Sequence, residues 1–194
     1  MTVPSSAADI TLPPPPGTGE SITYPLGWIL DNASGPIKYR SVTEIARASE
    51  TTIREMAWLP YAHRPALRIA LTQSADGIWN SSMLTVPKQG ADVAGAGTII
   101  AVRRLLEYGW DRESPPLSHA RRALFRLLAE DNDPAYLYEL GAKSKDDDSI
   151  RRGRMQLREA AAAALAQAGY EADPRLRGAA ALIAAPTFAA IRVA

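Results

Sequence analysis

The sequence predicts an all-α protein built from antiparallel helix pairs. Its 194 residues suit a single domain with a tail. Alanine, which has the highest intrinsic helix propensity, supplies much of the 46% hydrophobic fraction. Long runs of β-branched residues are missing, which argues against a large sheet. Apolar residues recur at helical spacing, and the segments that carry them end at glycine, proline or short polar breakers.

Residues 1–20 are predicted to form a disordered, proline-rich tail. The run Pro13–Pro16 favours polyproline II and cannot donate helical hydrogen bonds. Such a run is also found in docking peptides for aromatic grooves, but a solvated tail is the simpler interpretation. Tyr24–Leu30 reads as a short apolar turn in which we expect Trp28 to pack.

A series of helices is expected to follow the tail. Each begins at a capping residue or at a proline in its first turn. We expect Thr51-Thr52 to cap the second helix and Pro186 to end the last one. Consecutive amphipathic helices with short connections should form antiparallel hairpins. The predicted ranges are 36–48, 53–59, 64–72, 98–108, 117–129, 150–168 and 174–185, with a short helical segment at 135–140 and a charged loop at 141–149.

One short motif has the spacing Q-x3-G-x-W, at Gln73, Gly77 and Trp79. It resembles the QW repeat of squalene-hopene cyclases and related triterpene cyclases, whose fold is an α/α toroid. The upstream segment Trp28–Arg47 is similar to the N-terminal part of bacterial cyclase-like and prenyltransferase-like repeat proteins. The resemblance covers roughly residues 25–140 and implies that the three motif residues stabilise the fold.

The chemistry of the motif residues also indicates a structural role. Gly77 permits a backbone turn that a Cβ would hinder. Gln73 can hydrogen-bond to backbone groups freed at a helix end. Trp79 brings a large apolar ring with one N–H that needs an acceptor.

The catalytic residues of these relatives are missing from the printed sequence. Triterpene cyclases protonate their substrate with the middle Asp of a D-x-D-D motif, and no D-x-D-D occurs here. Protein prenyltransferases hold zinc with Asp, Cys and His, and this chain has no cysteine. We therefore expect a shared fold without the chemistry.

Three regions are expected along the chain: the tail at 1–20, a cyclase-like α/α repeat region at 21–140 and a HEAT-like helix pair at 141–194. The last assignment depends on Asp173–Ile183, which is similar to generic HEAT-type repeats. The overall fold is then a partial α/α toroid or a HEAT-like solenoid. Because Thr187–Ala194 is apolar and lacks a polar cap, we expect the last pair to be incomplete or covered by a partner.

Arg151, Arg154 and Arg158 share one predicted helix face and are weak candidates for anion binding. The alternative is a solvated face whose charge is screened by Asp146–Asp148 and Glu159. No metal site or cofactor is expected, since neither histidine has an i, i+4 ligand partner and there are no cysteines.

The composition sets further limits on function. A net charge of +1 makes nucleic acid an improbable partner. The N-terminal residues lack the features of a signal peptide, and no apolar run approaches the ~20 residues needed to span a bilayer. The absence of cysteine fits a reducing compartment, so we expect a cytoplasmic protein.

Two functional hypotheses follow. The first is a non-catalytic helical-repeat binding or scaffold domain whose apolar face holds a protein partner or an apolar ligand. The alternative is the N-terminal part of a terpene cyclase-like enzyme acting on isoprenoids, with its catalytic acid in sequence beyond this chain. A helical repeat that binds RNA or DNA is a weaker third option, because the net charge is near zero.

Overall fold

A computed structural model describes residues 9–13, 22–85, 95–129 and 147–191. The side chains of 22, 147–151 and 185–191 are outside this description. Within the described residues the protein is mostly helical, with one small two-stranded sheet and packed helix pairs, which confirms the predicted fold class at that level. Two compact units divide the chain, Met1–Leu67 and Arg68–Ala194. The region boundaries drawn from the family resemblance stay a prediction.

The first unit combines a small hairpin with short helices. Strand β1 pairs antiparallel with β2, so that Ile10 lies opposite Tyr24. The second helix of the unit continues into a π-helical turn at Ser41–Ile45. The elements are β1 (Ile10–Leu12), β2 (Ile22–Tyr24), α1 (Leu26–Asn32), α2 (Gly35–Arg40) and α3 (Glu50–Met56).

The core of the first unit gathers one face from each of these helices. Its buried members are Leu26, Leu30, Val42 and Met56, with aromatic and apolar side chains of the hairpin packed around them. The hydroxyl groups of Tyr24 and Ser41 lie 2.7 Å apart and link the hairpin to the π-helical turn. Both the sheet and the helices therefore contribute to one core.

Two predictions for this unit are wrong. Residues 10–12 form strand β1 inside the region expected to be a disordered tail, because Ile10 packs against the apolar core. Trp28 does not pack and is 65% exposed. Leu26 and Leu30 lie four residues apart on α1 and face the core. Trp28 is two positions from each of them, so its side chain points away from that face.

The second unit is a group of longer helices. Helix α5 packs against α6 and α7, α6 packs against α7 and α8, and α7 packs against α8. Their buried face is rich in leucine and alanine, including Leu105, Leu124, Leu157 and Leu165. The helices are α4 (Arg64–Leu71), which crosses the boundary between units, α5 (Thr98–Glu107), α6 (Pro115–Ala129), α7 (Asp147–Gln167) and α8 (Pro174–Ile191).

Helix boundaries differ from prediction where local capping differs. Helix α3 begins at Glu50 because the Ser49 side chain, and not Thr51 or Thr52, accepts a hydrogen bond from a first-turn amide. Helix α8 continues through Pro186 to Ile191, so the expected stop is wrong. A proline removes one helical hydrogen bond, and the alanine-rich sequence around it has the highest helix propensity.

Other predictions fall partly or wholly outside the described residues. The helical segment 135–140 lies outside them, as does most of the charged loop predicted at 141–149. The helix expected at 150–168 begins three residues earlier, at Asp147. None of the helices in the described part of the chain combines the length and apolar character needed to cross a bilayer.

Candidate functional site

The QW-like motif (Gln73, Gly77 and Trp79) lies in the turn after α4. The Gln73 side-chain amide donates two hydrogen bonds through Nε2, to the carbonyl of Gly77 at 3.0 Å and to the carbonyl of Pro116 at 2.8 Å. Pro116 belongs to the first turn of α6. One side chain therefore closes its own turn and attaches that turn to a helix 43 residues further along the chain.

Gly77 provides the close approach between this turn and α6. Its φ of +86° lies in the left-handed region. A Cβ at this position would lie 2.7 Å from the backbone carbonyl oxygen of His119. Only glycine fits both the backbone conformation and the available space.

Trp79 is 1% exposed, and it donates hydrogen bonds to the helices on both sides of the turn, α4 and α5. Its indole Nε1 donates to the carbonyl of Ile69 near the end of α4 at 2.7 Å. Its backbone N–H donates to the hydroxyl of Thr98, the first residue of α5, at 3.1 Å. Between Trp79 and α5, the amide of Gly97 donates a hydrogen bond to the carbonyl of Thr85 at 2.7 Å, which holds these two residues together.

These contacts give the motif one identifiable role, since it joins the end of α4 to the starts of α5 and α6. The polar groups concerned, the amide of Gln73 and the indole N–H of Trp79, are occupied by backbone partners.

We expect Gln73→Glu to lower the free energy of unfolding by about 2 kcal/mol at neutral pH, because a carboxylate cannot donate to the two carbonyls that the amide now serves. Urea unfolding followed by circular dichroism measures the change. Gln73→Met is the control, since it removes the donors without adding a charge and should cost less. Equal stability of the wild type and the glutamate variant would show that the two hydrogen bonds contribute nothing.

Of the three arginines named as anion-binding candidates, the structure describes the side chains of Arg154 and Arg158. Arg158 is half-buried and donates through Nε to the carbonyl of Leu127 at 3.3 Å, one of the last carbonyls of α6. Arg154 is also half-buried, and the Arg151 side chain lies outside the described residues. Arg158 therefore joins α7 to α6, and anion binding by the three arginines stays a prediction.

The histidines lie in ordinary structural positions. His119 is exposed on α6. Burial lowers the pKa of His63, which favours its neutral form at pH 7. Among the described side chains, no three His, Cys, Asp or Glu residues lie close enough together to hold a metal ion.

A second cluster of arginines, which the sequence analysis missed, surrounds Tyr170 between α7 and α8. The phenol donates to Glu113 Oε1 at 3.1 Å and accepts from Arg121 Nη1 at 3.1 Å. Burial raises the pKa of Tyr170, so its hydroxyl stays protonated at neutral pH. The guanidinium groups of Arg112 and Arg121 lie 5.0 and 5.3 Å from the centre of the Tyr170 ring.

Arg175 is fixed beside this cluster by an acid and a ring. It makes a bidentate pair with Asp173, with N–O distances of 3.1 and 2.8 Å, and its Cζ lies 3.9 Å from the centre of the Phe125 ring. The hydrogen bond from Arg175 lowers the pKa of Asp173, which keeps that carboxylate ionised. These side chains and their neighbours on α6 line a cleft of about 590 Å³, which we call the arginine cleft: Arg121, Arg122, Phe125, Arg126, Ala129, Tyr170, Asp173 and Arg175.

An apolar groove, the α7–α8 groove, runs between the last two helices and has a volume of about 350 Å³. Small and branched apolar side chains form most of its lining, namely Ala162, Ala163, Ala166, Leu176, Ala180 and Ile183. Three charged residues, Glu159, Glu171 and Arg177, also contribute to the lining.

The sequence carried only a weak signal for the arginine cleft. Arg121, Arg122 and Arg126 cluster on α6, where they read as the polar face of an amphipathic helix. Arg175 and Tyr170 approach that face only through the packing of α6 against α8 and its preceding turn. A contact between residues about 50 positions apart has no local sequence signature.

No protein-family model, curated protein or solved structure matches this chain. The resemblance to triterpene cyclases therefore stays a prediction that depends on the motif residues and the segment Trp28–Arg47.

Proposed function

We propose that this chain is a non-catalytic helical-repeat binding or scaffold domain, with an apolar face for a protein partner or an apolar ligand. The observation that carries the proposal is the α7–α8 groove, which exposes apolar lining between two packed helices. The side chains of Gln73 and Trp79 support a structural role for the QW-like motif, because their N–H groups hydrogen-bond to backbone carbonyls of the fold.

The geometry favours an amphipathic helix of a protein partner as the occupant. A groove between two packed helices can accept a third helix, whose apolar side chains at positions i, i+3, i+4 and i+7 enter the groove. The alanines that line it allow close approach of another backbone. Charged residues of both signs near the groove can pair with polar residues flanking the apolar face of such a helix.

Selection from a phage-displayed library of amphipathic helices of roughly 15 residues tests the proposal. We expect enriched peptides with apolar residues at helical spacing, and we expect Ala180→Gln to weaken their binding about tenfold, because the longer side chain fills the groove. The neighbouring Ala181 is exposed on the same helix but does not line the groove. Ala181→Gln therefore changes helix propensity equally and should leave binding within about twofold.

Failure to enrich any peptide whose binding depends on Ala180 would overturn the assignment of the groove. Equal loss of binding in both glutamine variants would also count against it, since the effect would then come from the helix and not from its lining.

We also propose that the helix pairs belong to a partial α/α toroid or a HEAT-like solenoid. The packing of α5 against α6 and of α7 against α8 supports consecutive pairs. The joining of α4, α5 and α6 through one motif supports the toroid, because it is the role that the QW repeat implies.

The alternative is the N-terminal part of a terpene cyclase-like enzyme acting on isoprenoids. The backbone contacts of Gln73 and Trp79 favour it, since they match the stabilising role of the QW repeat. A D-x-D-D motif in a continuous reading frame beyond Ala194 would support this alternative, and a stop codon directly after Ala194 would discard it.

A further inference from the structure

The arginine cleft carries an unusual concentration of positive charge for a protein whose net charge is +1. Its lining holds four guanidinium groups and one carboxylate, which gives a local net charge of +3. Concentrated charge of one sign in a concave site raises the local concentration of the opposite ion. The volume of about 590 Å³ is within the range of pockets for small molecules.

The arginines at the two sides of the cleft are held in place before any ligand arrives. Arg175 is fixed by its bidentate pair with Asp173 and by the Phe125 ring. Arg121 is fixed by Glu113 and Tyr170. Holding a long side chain in its binding geometry reduces the entropy lost when a ligand binds.

Both of these arginines keep hydrogen-bond donors outside those contacts. Arg121 uses Nη1 for Glu113 and Tyr170, and Arg175 uses Nε and Nη2 for Asp173. A guanidinium carries five N–H donors. Arg122 and Arg126, both exposed on α6, line the same cleft.

We propose that the arginine cleft binds a diphosphate group through Arg121, Arg122, Arg126 and Arg175. The planar fork of arginine matches the oxygen geometry of a phosphate group and binds it through two parallel hydrogen bonds. A diphosphate brings about three negative charges at neutral pH, which balances the local charge of the lining. A single carboxylate would leave most of that charge uncompensated.

Isothermal titration of the full chain with inorganic pyrophosphate tests the inference, with sodium sulfate at equal ionic strength as the control anion. We expect saturable binding of one pyrophosphate per chain, with weaker binding of sulfate. Arg122→Gln should reduce the affinity about tenfold or more, because it removes one charge-assisted contact from an exposed residue whose loss leaves the fold intact.

Arg68→Gln is the matched control. Arg68 is exposed on α4 and does not line the cleft. Its replacement by glutamine changes the net charge by the same amount as Arg122→Gln. Its affinity for pyrophosphate should stay within about twofold of the wild type. Arg122→Lys keeps the charge but loses the fork, and it should bind more weakly than the wild type.

Absence of saturable binding at millimolar pyrophosphate would overturn the inference. Equal losses in Arg122→Gln and Arg68→Gln would also overturn it, because the interaction would then be a general effect of net charge. The α7–α8 groove is a separate set of residues, so neither result bears on the proposed helix-binding function.

Discussion

Trp79→Ala is expected to lower the free energy of unfolding by about 4 kcal/mol. The side chain is 1% exposed, so truncation removes a large buried ring and leaves a cavity between the ends of α4 and the start of α5. Urea unfolding followed by circular dichroism at 222 nm measures the change, and the variant should show a lower transition midpoint.

Trp79→Phe separates packing from hydrogen bonding. The carbonyl of Ile69 that accepts the indole N–H also accepts from the backbone and the hydroxyl of Thr72, so it keeps partners when the indole is lost. We therefore expect a loss of only about 1–2 kcal/mol, from the reduced volume and one hydrogen bond. A phenylalanine variant as unstable as the alanine variant would contradict a packing role for the ring.

Gly77→Ala should lower the free energy of unfolding by roughly 3 kcal/mol or more. Two costs add at this position: a left-handed backbone that a Cβ disfavours, and a contact of 2.7 Å between that Cβ and the His119 carbonyl oxygen. Because the obstructing atom is backbone of α6, relief requires the turn to move away from the helix. Urea unfolding and the exchange rates of α6 amides should both report this movement.

Two other glycines separate these costs. Gly95 has a φ of +82° but open space around its Cβ position, so Gly95→Ala should cost only about 1–2 kcal/mol. Gly178 is an exposed glycine inside α8 with open space, and Gly178→Ala should stabilise the helix by about 0.5–1 kcal/mol. The interpretation fails if Gly77→Ala is no more destabilising than Gly95→Ala.

Helical periodicity predicted most of the described helices because their buried faces repeat every three or four residues. The predicted ranges 64–72 and 98–108 each end one residue beyond the observed α4 and α5. Local rules failed where tertiary packing decides the conformation. Strand β1 owes its structure to pairing with β2 and to the core of the first unit, and neither is visible in the sequence of residues 10–12.

The candidate sites also differ in how much of each the sequence predicts. The QW-like motif was identified from the sequence because its residues lie within seven positions and have distinct chemistry. Its partners Ile69, Thr98 and Pro116 could not be assigned from the sequence, since each is fixed by how the helices pack. The arginine cleft depends on Tyr170 and Arg175 meeting α6, so neither spacing nor composition indicated it.

The hydrogen bond between Thr85 and Gly97 brings together the two ends of the segment that connects them. The hydroxyl of Thr98 and the side chain of Asn80, which donates to the carbonyl of Ala96 at 2.8 Å, hold the same junction from both sides. The residues on either side of positions 86–94 are thus held together at one place. A longer segment there changes mainly the entropy of closing the loop, about 0.6 kcal/mol for each doubling of length. The junction is therefore a natural position at which evolution or an engineer can insert a tag, or a whole domain, without rebuilding the helices on either side.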